Sequence, residues 1–327
     1  MKLGLEQIKA ATCACAGVNE ENGAIRFQRL PERLGAQYQN HEGARIRRDC
    51  PASISLRFRS NSRTLNAGFS YGAGARAIYQ AACLVDDKVF LLGPSEPADS
   101  WSGAIPPLKK RKERLFELWL PSMVRTDILS LELEDDSSFA PAKNHACRWL
   151  AYGDSITQGM TVHNPAENHI ALLARELSAD VWNMGVGGAK MDAFLADTIP
   201  SFDYDIATVA YGVNDFNSDV PLAIYKNNAG AFLNALSSRR PSSPILAISP
   251  IPFLTDKQAN VFGETLDEFR AALASASSGR PNVILVDGRE LVPAEPGYFV
   301  DGCHPNAEGA RMYAERLLPI MQSCLKR

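Results

Sequence analysis

The chain has 327 residues, 46% of them hydrophobic and 22% charged, the composition of a folded globular protein of about two domains rather than of a disordered chain or one small stapled module. Its 34 Lys and Arg against 37 Asp and Glu leave a net charge of -3, so no overall positive field gathers nucleic acid or an anionic membrane surface. No uncharged apolar run reaches the roughly 18 residues of a membrane-spanning helix.

In chain order, residues 1–17 come first, and Glu6 and Lys9 interrupt them where a secretory signal needs an apolar core, so they read as mature sequence. The seven cysteines (13, 15, 50, 83, 147, 303 and 324) are odd in number and lack paired metal-ligand spacing. A chain of this size needs no disulfides, and a cytoplasmic location is expected. Up to about residue 140 the pattern is short β-rich runs: 53–59 (SISLRFR), 89–92, 115–120 (LFELWL) and 128–133 (ILSLEL). In the first run Ile54, Leu56 and Phe58 fall on one face and Ser55 and Arg57 on the other, the period of a half-buried antiparallel strand. Residues 1–140 are therefore expected to form an antiparallel β-sandwich domain. Loops follow at 93–102 and 134–144, the second marking the boundary to a domain of residues 141–327.

Beyond Ala146, apolar runs at 146–152, 181–184, 206–211, 245–249 and 283–286 alternate with helical segments, which predicts an α/β domain with a five-stranded parallel sheet. One helix is expected to begin near Pro165, with Asn164 as cap and Glu167 at its third position.

In parallel sheets functional groups collect on loops at the carboxyl ends of strands. Here those loops hold Gly153-Asp154-Ser155-Ile156-Thr157-Gln158-Gly159, then Asn183-Met184-Gly185-Val186-Gly187-Gly188, then Gly212-Val213-Asn214-Asp215, and finally Asp301-Gly302-Cys303-His304-Pro305. A serine hydroxyl becomes nucleophilic when an imidazole accepts its proton, and the imidazole works best when a carboxylate orients its other nitrogen. Ser155, His304 and Asp301 supply these types, and the D-x-x-H spacing lets the carboxylate fold back onto the ring. An attacked ester carbonyl also needs preorganised donors. The candidates are the Ser155 amide, the Gly188 amide and the Asn214 side chain.

These four blocks, in this order across residues 147–305, resemble those of the SGNH, or GDSL-type, hydrolases. The resemblance implies a flavodoxin-like three-layer α/β/α domain and ester hydrolysis or acyl transfer without metal or organic cofactor. By motif position it gives Ser155 as nucleophile, His304 as base, Asp301 as its orienting acid, and Gly188 and Asn214 as oxyanion donors beside Ser155. Gly188 is preferred to Gly185 because it stands five residues after Asn183. The β-rich N-terminal half is similar to the jelly-roll domains that precede the hydrolase domain in some carbohydrate esterases. The expected substrate is a small acyl ester, acetyl first, of a carbohydrate or other hydroxylated small molecule or oligosaccharide. Acyl transfer is the alternative, and a non-catalytic binding protein a weaker one; the sequence leaves oligomeric state open.

Several blander readings compete. Gly185-Val186-Gly187-Gly188 lacks the last glycine of a dinucleotide fingerprint, since Lys190 stands there. His163 and His169 read as surface or pocket-rim histidines, since no further ligands complete a metal shell. Cys303 receives no role, Lys109 to Lys112 reads as a solvated loop, and Tyr298 and Phe299 suit pocket lining and core packing equally.

Overall fold

Alternating apolar residues build two antiparallel sheets in the first part of the chain. The computed structural model describes residues 1–142 and 146–326. One sheet runs Thr12–Cys13, Ser55–Ser60, Arg114–Trp119, Ala81–Val85, Lys88–Leu92, with Ala140–Pro141 also paired to Ser55–Ser60. The other runs Gly17–Glu21, Ala24–Gln28, Val124–Leu133, Leu65–Gly74, Ser100–Ala104. Their facing sides share a core that includes Leu56, Phe58, Phe69, Phe116, Leu118, Ile128 and Leu131. Phe58 stands opposite Phe116 in the ladder, with the rings stacked at 5.3 Å. All four expected strands are present, with bounds shifted by a few residues.

The second face of the first sheet departs from the half-buried expectation. Arg57 pairs with Glu117 at 3.0 Å, and the two side chains are only 13% and 10% exposed. On the same face Ala82 and Trp119, which are ladder partners, join a cluster with Ala166, Ile170 and Leu173 from the second part of the chain. The middle of this sheet is therefore covered on both sides, and the polar alternation there reflects a shielded ion pair rather than solvent.

Three short helices, Leu5–Ala11, Glu32–Gln37 and Glu42–Asp49, interrupt the β pattern. With six to eight residues each, they are too short to show a helical period. Leu30, Leu34 and Tyr38, in and around the second, are buried among Met184, Leu195 and Tyr211.

The remaining sheet is parallel, in the spatial order Ala179–Asn183, Cys147–Gly153, Ile206–Ala210, Ile245–Ile248, Val283–Val286. Alternation along Cys147–Gly153 explains the layers. Trp149 and Ala151 face a cluster holding Ile170, Leu173, Tyr313 and Leu317, from helices His169–Glu176 and Ala307–Leu325. Leu150 and Tyr152 face Tyr225, Phe232, Phe269 and Leu273, from helices Leu222–Arg239 and Leu266–Ser277. The result is the expected α/β/α sandwich. Its strand order reverses at Cys147–Gly153, so the crevice beside that strand's carboxyl end is where a ligand is best received.

The helix expected near Pro165 begins later. Asn164 Oδ1 accepts from the Ala166 amide at 3.1 Å and caps only the 3-10 turn Pro165–Glu167. Asn168 Oδ1 then accepts from the Ala171 amide at 2.8 Å and starts the α-helix His169–Glu176. Two capping asparagines four residues apart split one expected element into two. Lys143 and Asn144, the end of the expected linker, lie outside the described residues. Among the described residues no helix is long and apolar enough to cross a membrane.

Trp119 is 2% exposed and packs between the two parts of the chain. Its replacement by alanine is expected to cost about 3–5 kcal/mol, read as a lower urea midpoint of a single transition. Two separated transitions in the wild type would show that this contact does not couple the parts.

Candidate active site

Strand Cys147–Gly153 ends where backbone crowding demands glycine: a Cβ on Gly153 would overlap the Thr157 side chain and lie 2.9 Å from the Ala210 carbonyl oxygen. The chain turns there into the short helix Ser155–Gln158. Asp154 caps it, its Oδ1 accepting from the Ile156 amide at 2.9 Å, and Gly159 closes it in the left-handed region. Ser155 thus occupies the first helical position at the end of a central strand.

Near the other end of the chain, the loop before helix Ala307–Leu325 meets this turn. His304 Nε2 lies 2.8 Å from Ser155 Oγ, and His304 Nδ1 lies 2.8 Å from Asp301 Oδ2 and 3.0 Å from Oδ1. Asp301 Oδ1 also accepts from the amides of Cys303 at 3.1 Å and His304 at 2.8 Å. Partial burial works against the Asp301 charge, but the His304 amide and ring and the Cys303 amide outweigh it and hold the carboxyl below the usual carboxylate range. With an ionised Asp301 accepting from Nδ1–H, Nε2 presents its lone pair to Ser155 and can take the hydroxyl proton. The loop is also fixed by bonds outside these three side chains. Thr161 Oγ1 donates to the Pro305 carbonyl at 2.8 Å, and the Leu254 amide to the Gly302 carbonyl at 2.7 Å. Gly302 has φ 75°.

The loop after Ala179–Asn183 distinguishes its glycines. The Gly185 amide donates to Asn183 Oδ1 at 2.9 Å and the Gly187 amide to Gln158 Oε1 at 2.8 Å. Gly188 is exposed, has φ 81°, and its amide donates to no partner among the described residues. Of the three glycines it alone presents an uncommitted donor. Asn214 Nδ2 donates to the Ala189 carbonyl at 3.1 Å, which ties it to this loop and leaves the second amide hydrogen for another acceptor.

This loop is held largely by the N-terminal part of the chain. Arg29 is 3% exposed, and its Nη1 donates to the carbonyls of Asn183 at 2.6 Å and Gly185 at 2.8 Å. Its Nε donates to the Cys50 carbonyl at 3.0 Å and its Nη2 to the Arg47 carbonyl at 3.2 Å. Gln158 Nε2 donates to the same Arg47 carbonyl at 2.8 Å, and Asn183 Nδ2 to Ser53 Oγ at 2.9 Å. Gln158 and Asn183 lie inside the motif blocks. Arg29, Arg47 and Ser53 lie more than a hundred residues upstream with no local pattern to mark them.

Other sequence candidates settle into plainer places. His169 is no rim residue: it is 4% exposed, its ring packs on Tyr313 at 4.3 Å, and burial lowers its pKa to about 3. His163 is exposed. Phe299 is 7% exposed and belongs to a core cluster, with Tyr298 packed against it. Burial pushes the Cys303 thiol up to about 12, so it stays protonated at neutral pH.

Asp215, from the third block, is fully buried and accepts from the Met191 amide at 3.1 Å. Burial pushes its pKa up to about 7. It stays neutral in the folded chain at pH values where the unfolded carboxyl has already ionised, so its contribution to stability falls as pH rises from about 4 to about 7. Asp215→Asn is therefore expected to raise the melting temperature near pH 8 and to change it little near pH 4. An equal shift at both pH values would refute the assignment.

Three solved structures share this architecture. The salicylyl-acyltransferase SsfX3 from a tetracycline biosynthetic pathway superposes with a TM-score of 0.81 at 20% identity, covering 97% of this chain and 96% of that one. A GDSL-like lipase from Bacteroides ovatus gives 0.79 at 18% identity, covering 100% and 98%. A family two carbohydrate esterase from Cellvibrio japonicus gives 0.68 at 16% identity, also covering 100% and 98%. At these identities the likeness is one of fold. No curated protein matches the chain in sequence. Residues 151–312 match the model of the GDSL-like Lipase/Acylhydrolase family, and the parallel-sheet part of the chain belongs to that family of SGNH hydrolases.

Proposed function

We propose that the protein is a serine esterase that removes a small acyl group, acetyl in the first instance, from a carbohydrate or other hydroxylated substrate. The observation that carries this reading is the unbroken hydrogen-bonded chain from Ser155 through His304 to Asp301. Ser155 Oγ attacks the ester carbonyl carbon while His304 Nε2 takes its proton, and Asp301 stabilises the imidazolium that forms. The carbonyl oxygen becomes an oxyanion, for which the Ser155 amide, the Gly188 amide and the Asn214 carboxamide are the donors, each worth about 3–4 kcal/mol. Collapse of the intermediate expels the alcohol, protonated by His304. Water, deprotonated by the same imidazole, then attacks the acyl-Ser155 and releases the acid.

In this reading residues 141–327 form the catalytic domain and residues 1–140 an accessory sandwich, a division supported by the change from antiparallel to parallel sheets. A cytoplasmic setting is supported by the odd number of cysteines and their lack of paired spacing. The carbohydrate preference is supported by the whole-chain fold shared with a family two carbohydrate esterase. Acyl transfer is the second reading, favoured by the likeness to an acyltransferase. It uses the same residues, with an acceptor hydroxyl in place of water at the acyl-enzyme.

Turnover of p-nitrophenyl esters from acetate to decanoate, with and without an acceptor alcohol, tests the proposal. Activity is expected to be steepest for acetate, to yield free acid, and to fall at least about a thousandfold in Ser155→Ala. A maximum at long chains would overturn the small-acyl reading, and acyl-acceptor product alone would replace hydrolysis by transfer.

A further inference from the structure

Two arginines from the N-terminal part of the chain converge on the loop that presents Gly188. Arg47, on helix Glu42–Asp49, donates from Nη1 to the Gly187 carbonyl at 3.1 Å. The same Nη1 lies 3.4 Å from where a Gly188 Cβ would stand, and Arg47 Cδ and Nε lie 2.8 and 3.1 Å from the corresponding point on Gly187. The guanidinium therefore lies along the edge of the exposed glycine. Arg76 reaches the same place from another loop. Its Nη2 is 3.8 Å from Met160 Sδ, and Met160 Cε is 2.5 Å from where a Gly187 Cβ would stand.

Among the described residues neither Arg47 nor Arg76 makes an ion pair, whereas Arg26, Arg48, Arg57, Arg63 and Arg114 each meet a carboxylate. Arg47 Nε is buried without a hydrogen-bond partner among the described residues. A guanidinium without a carboxylate partner beside this loop attracts an anionic group and can bind a carboxylate or phosphate through its remaining N–H groups.

We propose that Arg47 and Arg76 form an anion-recognising flank of the acyl site, so that the preferred substrates are esters carrying a negatively charged group within a guanidinium's reach of the scissile carbonyl. This inference rests on the serine-esterase reading of the same site and narrows its substrate class. The flank also gives the N-terminal part of the chain a direct share in selecting substrate. Arg76, being exposed, sets a salt-sensitive component, and Arg47, being shielded, a less sensitive one.

The test compares charged and uncharged esters of matched size, with uncatalysed rates subtracted. Mono-p-nitrophenyl glutarate against p-nitrophenyl pentanoate places the anion on the acyl side. Acetoxybenzoate against phenyl acetate places it on the alcohol side. In wild type the anionic member of at least one pair is expected to have kcat/KM about tenfold above its neutral partner, the worth of a charge-assisted hydrogen bond. That ratio is expected to collapse toward unity in Arg47→Gln and to fall partway in Arg76→Gln. Because the readout is a ratio, any shared loss from a displaced Gly187 cancels. Ser155-dependent turnover of the neutral esters with no anionic preference, or a preference unchanged in both variants, would overturn this inference and leave the esterase reading standing. No Ser155-dependent turnover of any of the four esters would overturn both.

Discussion

The buried guanidinium of Arg29 is the interaction on which the geometry of the site depends. A charge taken out of water costs several kcal/mol unless polar partners replace its hydration. Here the partners are four backbone carbonyls, of Cys50, Arg47, Asn183 and Gly185, rather than a carboxylate. Burial lowers the Arg29 pKa to about 10, which leaves it charged at neutral pH. One rigid fork therefore joins the end of helix Glu42–Asp49 to the loop that ends in Gly188. Moving either partner would strand a buried charge, so the two parts of the chain are held in one register.

From that constraint the rest of the site follows in order. The loop amides of Gly185 and Gly187 are committed to Asn183 and Gln158, and Gln158 is itself anchored to Arg47, so Gly188 is left facing outward. Across the crevice, the carboxyl end of Cys147–Gly153 and its tight turn deliver Ser155, and the loop from Asp301 to Pro305 brings His304 to it. Each partner is fixed by bonds that do not involve Ser155 Oγ or His304 Nε2. In the proposed mechanism such prior positioning lets the oxyanion donors stabilise charge without reorganising at the moment of reaction. The sandwich is thus more than an appendage, because Arg29, Arg47 and Ser53 reach across to the loop and Trp119 packs into the helical layer behind the sheet.

Much of this was legible in the sequence, for identifiable reasons. The inner parallel strands Cys147–Gly153, Ile206–Ala210 and Ile245–Ile248 are nearly continuous apolar runs because both faces are buried, and the first three blocks sit at strand ends, where a parallel sheet exposes its loops. The preference for Gly188 over Gly185 follows from block spacing and stays part of the proposed function. What stayed hidden was non-local or short. Ser55 and Arg57 alternate like residues on a solvated face, and only the tertiary packing of Ala82 and Trp119 reveals that the face is covered. The helix Glu32–Gln37 has too few residues for a period. Asn168 competes with Asn164 as a cap, and only the backbone shows which one starts the α-helix. Arg29 sits in no motif, since its partners are carbonyls and leave no side-chain signature.

The most direct measurement of the central claim is the rate at which a serine-directed phosphonate labels Ser155 in the wild type and in Arg29→Lys, with the labelled residue identified by mass spectrometry. A phosphonate places its oxygen where the ester oxyanion would form, so its rate reads the donors together with the nucleophile. The account predicts labelling of Ser155 in the wild type and a rate at least about tenfold lower in the variant, which cannot satisfy four carbonyls, while its unfolding stays cooperative. Equal labelling rates in a folded Arg29→Lys protein, or no labelling of Ser155 in the wild type, would contradict it.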